Sequence, residues 1–205
     1  GTIADSNFAI CEAMERACIR HGADYVGDIE FTKFIGQDLD ICIQKATSEI
    51  LTSEQIEGVA RSYRETFKFE LVKPFEGITE VLQECIANGD QLAIATSRRS
   101  PSLHTLLKDN ELEDFFSVKV CGDNVVNPKP NTEMLLKVAE QFDTQPQDLI
   151  VVGDTIWDIE MASGVGAYGI GVTWGSHSEQ QLINAGASIT FDTPEDLQKY
   201  FATTN

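Results

Sequence analysis

Five short apolar runs, Leu92–Thr96, Val118–Cys121, Leu149–Gly153, Tyr168–Val172 and Ser188–Phe191, follow one another after Pro74, with amphipathic stretches around and between them. A strand that is apolar at nearly every position has no face to give to water, so both of its faces must be covered. Parallel strands joined by helices meet that demand, because successive helices pack on the two faces of the sheet. Helices are predicted at Ile78–Ala87, Pro101–Lys108, Thr132–Phe142, Ile159–Ser163, Glu179–Asn184 and Pro194–Phe201. The pattern is that of a doubly wound, Rossmann-like α/β domain with a parallel sheet, in which ligands sit beyond the carboxyl ends of the strands.

From Ala4 to about Phe69 the apolar period is helical instead. Ile10, Met14, Ala17 and Cys18 share one face, and Ile56, Val59, Ala60, Tyr63 and Phe67 share another. Gly36 breaks the pattern between Glu30 and Asp40, which places a turn or a short helix start there. With 205 residues, 42% hydrophobic and 23% charged, the chain suits one sizeable domain carrying an insert and excludes wholesale disorder.

The net charge of −18, from 15 basic and 33 acidic residues, repels polyanions and argues against nucleic acid as a ligand. A small anionic substrate would need the few cations gathered at one pocket. The cysteines Cys11, Cys18, Cys42, Cys85 and Cys121 are odd in number and widely spaced. They read as small buried hydrophobes, not as a disulfide frame or metal knuckle. The uncharged stretch Met161–Ser178 contains five glycines and reads as a strand and loop, not a membrane span. No basic, apolar leader opens the sequence, and a cytoplasmic protein without membrane contact is expected.

Four places carry candidate chemistry. Thr96-Ser97-Arg98 ends an apolar strand with a hydroxyl and backbone N–H groups that suit an anion, although such residues also form turns and caps. Lys129 stands between Pro128 and Pro130, which restrict the directions its ammonium can take; the segment also suits a solvated loop. Gly153-Asp154-Thr155-Ile156-Trp157-Asp158 follows another strand and sets two carboxylates four apart, able to face one crevice and hold a hard cation. The same residues suit a helix N-cap at Asp154 or Thr155 and a first-turn acid at Asp158. Gly1–Ser6 reads as a turn, with Asp5-Ser6 capping the helix that follows.

In order and spacing these segments resemble the haloacid dehalogenase-like superfamily, in particular its phosphoglycolate phosphatase-like branch with a helical cap. Gly1-Thr2-Ile3-Ala4-Asp5-Ser6 looks like the second half of the first motif, Thr96 matches the second, Lys129 the third and Gly153–Asp158 the fourth. Tyr63-Arg64-Glu65, Pro74-Phe75-Glu76-Gly77 and Gly171–Gly175 look like the branch's connecting segments. The resemblance implies an α/β core over residues 1–7 and 71–205 and an all-helical cap over 8–70. The family's nucleophilic and acid/base aspartates would precede Gly1, so a longer protein containing the sheet's central strand is expected, and residues 1–205 alone are expected to be inactive.

The resemblance further implies a Mg²⁺-dependent phosphatase that hydrolyses a small phosphorylated metabolite through an aspartyl-phosphate. Asp154 would ligate Mg²⁺, with Asp158 a second ligand or the holder of a metal-bound water. Lys129 would hold a phosphoryl oxygen and the nucleophile. Thr96 would donate its hydroxyl to another phosphoryl oxygen, with the Ser97 backbone N–H beside it. A sugar-phosphate mutase and an inactive relative that binds a phosphorylated ligand or a protein stay open as alternatives. Lys33, Gln37, Arg61 and Arg64 are candidate specificity residues in the cap and equally suit a solvated helix face.

Overall fold

The computed structural model describes residues 1–203. In the order of the chain, β1 (Ala4–Asp5) leads into α1 (Asn7–Arg20), α2 (Asp28–Phe31), α3 (Leu39–Ala46) and α4 (Ser53–Thr66). Then come β2 (Lys73–Pro74), α5 (Ile78–Ala87), β3 (Ala93–Thr96), α6 (Ser100–Asp109), β4 (Val118–Cys121) and α7 (Glu133–Phe142). The chain continues through β5 (Ile150–Gly153), α8 (Ile156–Gly164), β6 (Tyr168–Val172), α9 (Glu179–Asn184), β7 (Ile189–Phe191) and α10 (Pro194–Thr203). Each of the five apolar runs forms a parallel strand within one residue of its expected bounds. Helix α8 starts three residues before its expected position, because Thr155 caps it.

Within residues 1–203 the parallel strands pair as β3-β4 and β5-β6-β7. In register, Thr96 lies opposite Cys121, Gly153 opposite Gly171, and Val172 opposite Phe191, so the carboxyl ends within each group are level. β3 and β5 border one cavity of about 680 Å³. Ile150 of β5 keeps 52% of its surface exposed, whereas β6, paired on both sides, is buried from Gly169 to Val172.

The entry and exit of the helical region form an antiparallel ribbon that periodicity did not foretell, β1 with β2, pairing Ala4 with Pro74 and Asp5 with Lys73. Two-residue strands are too short to leave an alternating pattern. Helix α1 serves two cores. Ala9 and Ala13 pack with Ile78, Ile94 and Leu103 of the α/β region, while Met14, Ala17 and Cys18 pack with Phe31, Ile43 and Val59 of the helical region. Ser6 makes no side-chain cap for α1; Asp5 Oδ1 accepts the Asn7 N–H instead, at 3.4 Å.

Gly36 lies in a turn at φ +101°, a conformation that favours glycine. A Cβ there would also press on Thr155. All five cysteines are buried and free, and no helix of the described residues is long and apolar enough to cross a membrane.

Candidate active site

The carboxyl ends of β3 and β5, with the loop before α7, bring Thr96, Ser97, Lys129, Asp154 and Asp158 to the wall of the same cavity. Residues up to 62 positions apart in sequence meet because parallel strands present all their following loops at one edge.

Lys129 is buried, and its Nζ donates to the Ala95 carbonyl at 2.8 Å and to Asp158 Oδ1 at 2.5 Å. Glu133, in the first turn of α7, shapes the loop from behind by accepting the backbone N–H groups of Val126 and Asn127. Those N–H groups hold the Glu133 carboxyl at about 2, far below its usual value. A mobile ammonium thus becomes a fixed charge.

Asp158 has two occupations at once. Oδ1 holds Lys129, and Oδ2 accepts the Thr155 hydroxyl at 2.6 Å and the Thr155 N–H at 3.2 Å, in a capping box that starts α8. The capping role and the charge-positioning role are therefore both realised, one on each oxygen.

Asp154 is buried in the turn between β5 and α8. Oδ1 accepts the Thr2 hydroxyl at 2.8 Å, and Oδ2 accepts the Ser176 N–H at 3.0 Å. Burial raises the Asp154 pKa, while the hydrogen bonds from Thr2 and Ser176 lower it. The loop after β6 passes so close that a Cβ on Gly175 would overlap the Asp154 side chain.

Thr96 Oγ1 accepts the Arg98 N–H at 3.2 Å, which leaves its own proton to give. The Ser97 hydroxyl goes to the Gly36 carbonyl of the helical region at 2.6 Å, so its backbone N–H is what it can offer an anion. Of the four candidates in the helical region, Gln37 and Arg64 line the cavity. Lys33 and Arg61 instead pair with Glu30 and Glu57 on the surface.

Ser176 and His177 were not found by sequence reasoning. His177 is buried; Nδ1 accepts the Ile156 N–H at 2.9 Å, and Nε2 faces the Lys33 carbonyl at 3.2 Å. The first bond makes Nδ1 the acceptor, so Nε2 carries the proton and ties the start of α8 to the helical region. Their position just beyond the carboxyl end of β6 was the signal available.

The family model for haloacid dehalogenase-like hydrolases matches residues 1–172. The chain belongs to this family. A curated relative, "Probable phosphatase IndB" of Dickeya dadantii, is 30% identical over 94% of this chain and 86% of its own length. The phosphoglycolate phosphatase of Salmonella choleraesuis is 24% identical over 96% of this chain and 87% of its own. The crystal structure of "a predicted phosphoglycolate phosphatase" from Haemophilus somnus superposes with a TM-score of 0.88 at 20% identity, covering 98% of this chain and 93% of that one. The α/β fold of the family, with its parallel strands and numerous helices, is the fold of this chain.

The donor set suits magnesium. The carboxylates facing the cavity offer only hard oxygen donors, and Mg²⁺ needs one or two protein carboxylates while keeping several waters. Asp154 fits that part; among the described residues no three His, Cys, Asp or Glu side chains gather as a fuller protein cage would require.

Proposed function

We propose that this hydrolase is a Mg²⁺-dependent phosphatase acting on a small phosphorylated metabolite in the cytoplasm, with residues 8–70 as a helical cap over an α/β core. The observation that carries the reading is Lys129, a buried ammonium held by Asp158 and Ala95 in the same cavity as Thr96 and Asp154. Lys129 balances charge on a phosphoryl oxygen, with Asp158 fixing its position. Thr96 donates its hydroxyl and Ser97 its N–H to other oxygens, where charge builds in the transition state. Asp154 holds Mg²⁺, which when bound lessens the repulsion between an attacking carboxylate and the phosphate. Against a net charge of −18, these groups make a local field that welcomes a phosphate ester.

The resemblance implies that the covalent acceptor and the acid/base group lie ahead of Gly1. The test therefore uses a polypeptide that carries an Asp-x-Asp strand ahead of Gly1. A panel of phosphorylated metabolites is assayed with and without Mg²⁺, following inorganic phosphate and phosphorylated products. Release of inorganic phosphate that ceases on chelation supports the reading. Transfer to a sugar hydroxyl would instead identify a mutase, and ligand binding without turnover an inactive relative.

A further inference from the structure

His177 follows β6 and is buried, yet the phosphoryl chemistry above gives it no part. Its backbone N–H donates to the Asp154 carbonyl at 3.1 Å, and ring Nδ1 accepts the Ile156 N–H at 2.9 Å. Both bonds fall on the segment that opens α8, whose first turn carries Asp158, the partner of Lys129. On the other side of the ring, Nε2 gives its proton to the Lys33 carbonyl of the helical region at 3.2 Å. A neutral imidazole has one acceptor and one donor nitrogen, and here each is spent on a different region of the molecule.

The part of the helical region that His177 reaches is the turn over residues 33–37. Ile35 and Gln37 of this turn line the cavity together with Thr96 and Lys129. The Ser97 hydroxyl holds the same turn at the Gly36 carbonyl, and Gly36 lies so close to Thr155 and Trp157 that a Cβ would press on both. This seat has a cost. Trp157 Nε1 is buried with no hydrogen-bond partner among the described residues, and the adjoining Cδ1 lies beside Gly36. A buried N–H without a partner is unfavourable, so the bonds from Ser97 and His177 have to offset it. The turn and the start of α8 thus share one clamp, in which the loss of a single hydrogen bond shifts the balance.

We infer that His177 is a positioning residue with two separable roles in the reaction of this cavity. Through Nε2 it keeps residues 33–37 seated against the cavity, which favours the form that binds substrate. Through Nδ1 it fixes the start of α8, and with it the place of Asp158 and of the Lys129 ammonium that Asp158 holds. This rests on the phosphoryl-site reading and adds the residue that joins the helical region to that site.

Two substitutions separate the roles in the polypeptide that carries the strand ahead of Gly1, assayed on the ester of the metabolite panel that it hydrolyses fastest. The amide of Asn places an atom where Nδ1 lies, and that of Gln places one where Nε2 lies. His177→Asn therefore keeps an acceptor for Ile156 and loses Lys33. KM should rise about 3–10-fold with kcat within about twofold, because less of the protein is in the binding form. His177→Gln keeps a donor for Lys33 and loses the acceptor, so kcat should fall about 3–10-fold with KM nearly unchanged. Amide hydrogen exchange reads the second bond without turnover: the Ile156 N–H should stay protected in His177→Asn and exchange faster in His177→Gln. Imidazole nitrogen NMR shifts of the unaltered protein should mark Nε2 as the protonated nitrogen, and a neutral ring with its proton on Nδ1 overturns the inference even where a variant does not fold. Unchanged kinetics in both variants, or kcat and KM moved alike in both with equal Ile156 exchange, overturns it while the phosphatase reading stands. If the unaltered polypeptide releases phosphate from no ester, the phosphatase reading fails and takes this inference with it.

Discussion

Phe31, Ile43 and Val59 in the helical region have no exposed surface, whereas Ile150, on a strand expected to lie deep in the sheet, keeps 52% of its own. The helical region closes its core with its own helices and one face of α1. In the α/β region β3 and β5 stand at the cavity wall, and the polar groups Lys129, Asp154, Thr155 and Asp158 are buried there. The contrast shows one region using burial for cohesion and the other using it to hold charge in place.

The sharpest way to break that contrast is to remove matched side chains. Phe31→Ala should cost about 3–5 kcal/mol, as emptying a closed aromatic site does. Ile150→Ala should stay within about 0.5 kcal/mol, as an exposed substitution does. Urea denaturation measures both, and similar losses would show that the strand is buried in solution. Breaking the ion pair is of the same order: Asp158→Ala should destabilise by about 3–5 kcal/mol because Lys129 is left buried without a counter-charge. Adding Lys129→Met should recover part of the loss, and strict additivity would mean that the two side chains do not interact.

Lys129→Met in the polypeptide competent for turnover should lower kcat by about 10²–10³-fold, the usual cost of losing a preorganised charge at a developing anion. An unchanged kcat would remove Lys129 from the chemistry. A smaller effect is expected at the start of α4, where Thr52 and Gln55 form a capping box. Thr52→Ala should cost about 1 kcal/mol and leave phosphate binding alone, since it touches only the helical region.

The smallest effect is a titration. The Glu133 carboxyl is depressed from 4.5 to about 2, so its support of the Lys129 loop is complete above pH 4.5 and is lost as pH falls towards 2. Amide signals of Val126 and Asn127 should shift over that window and stay still in Glu133→Gln. Movement near pH 4.5 would show that the carboxyl is not held by these N–H groups.

Much of this was legible in the chain. The apolar runs located five strands because full burial leaves a continuous pattern, and Thr96, Lys129 and Asp154 stood out by lying just beyond strand ends or between prolines. Asp158 was legible as a residue but not in its occupation, because a carboxylate four places after another serves equally as ligand, cap or counter-ion until its neighbours are known. Ser176 and His177 lay in a glycine-rich loop without periodicity.

The amino-acid order by itself determined the five parallel strands and the helices between them, and to which family the motifs point, because these depend on side chains a few residues apart. Only the tertiary structure decided that Lys129 meets Asp158 across 29 residues and that Thr2 and Ser176 converge on Asp154. Those outcomes depend on which groups approach through space, where a single carboxylate oxygen can be claimed by residues that lie far away along the chain.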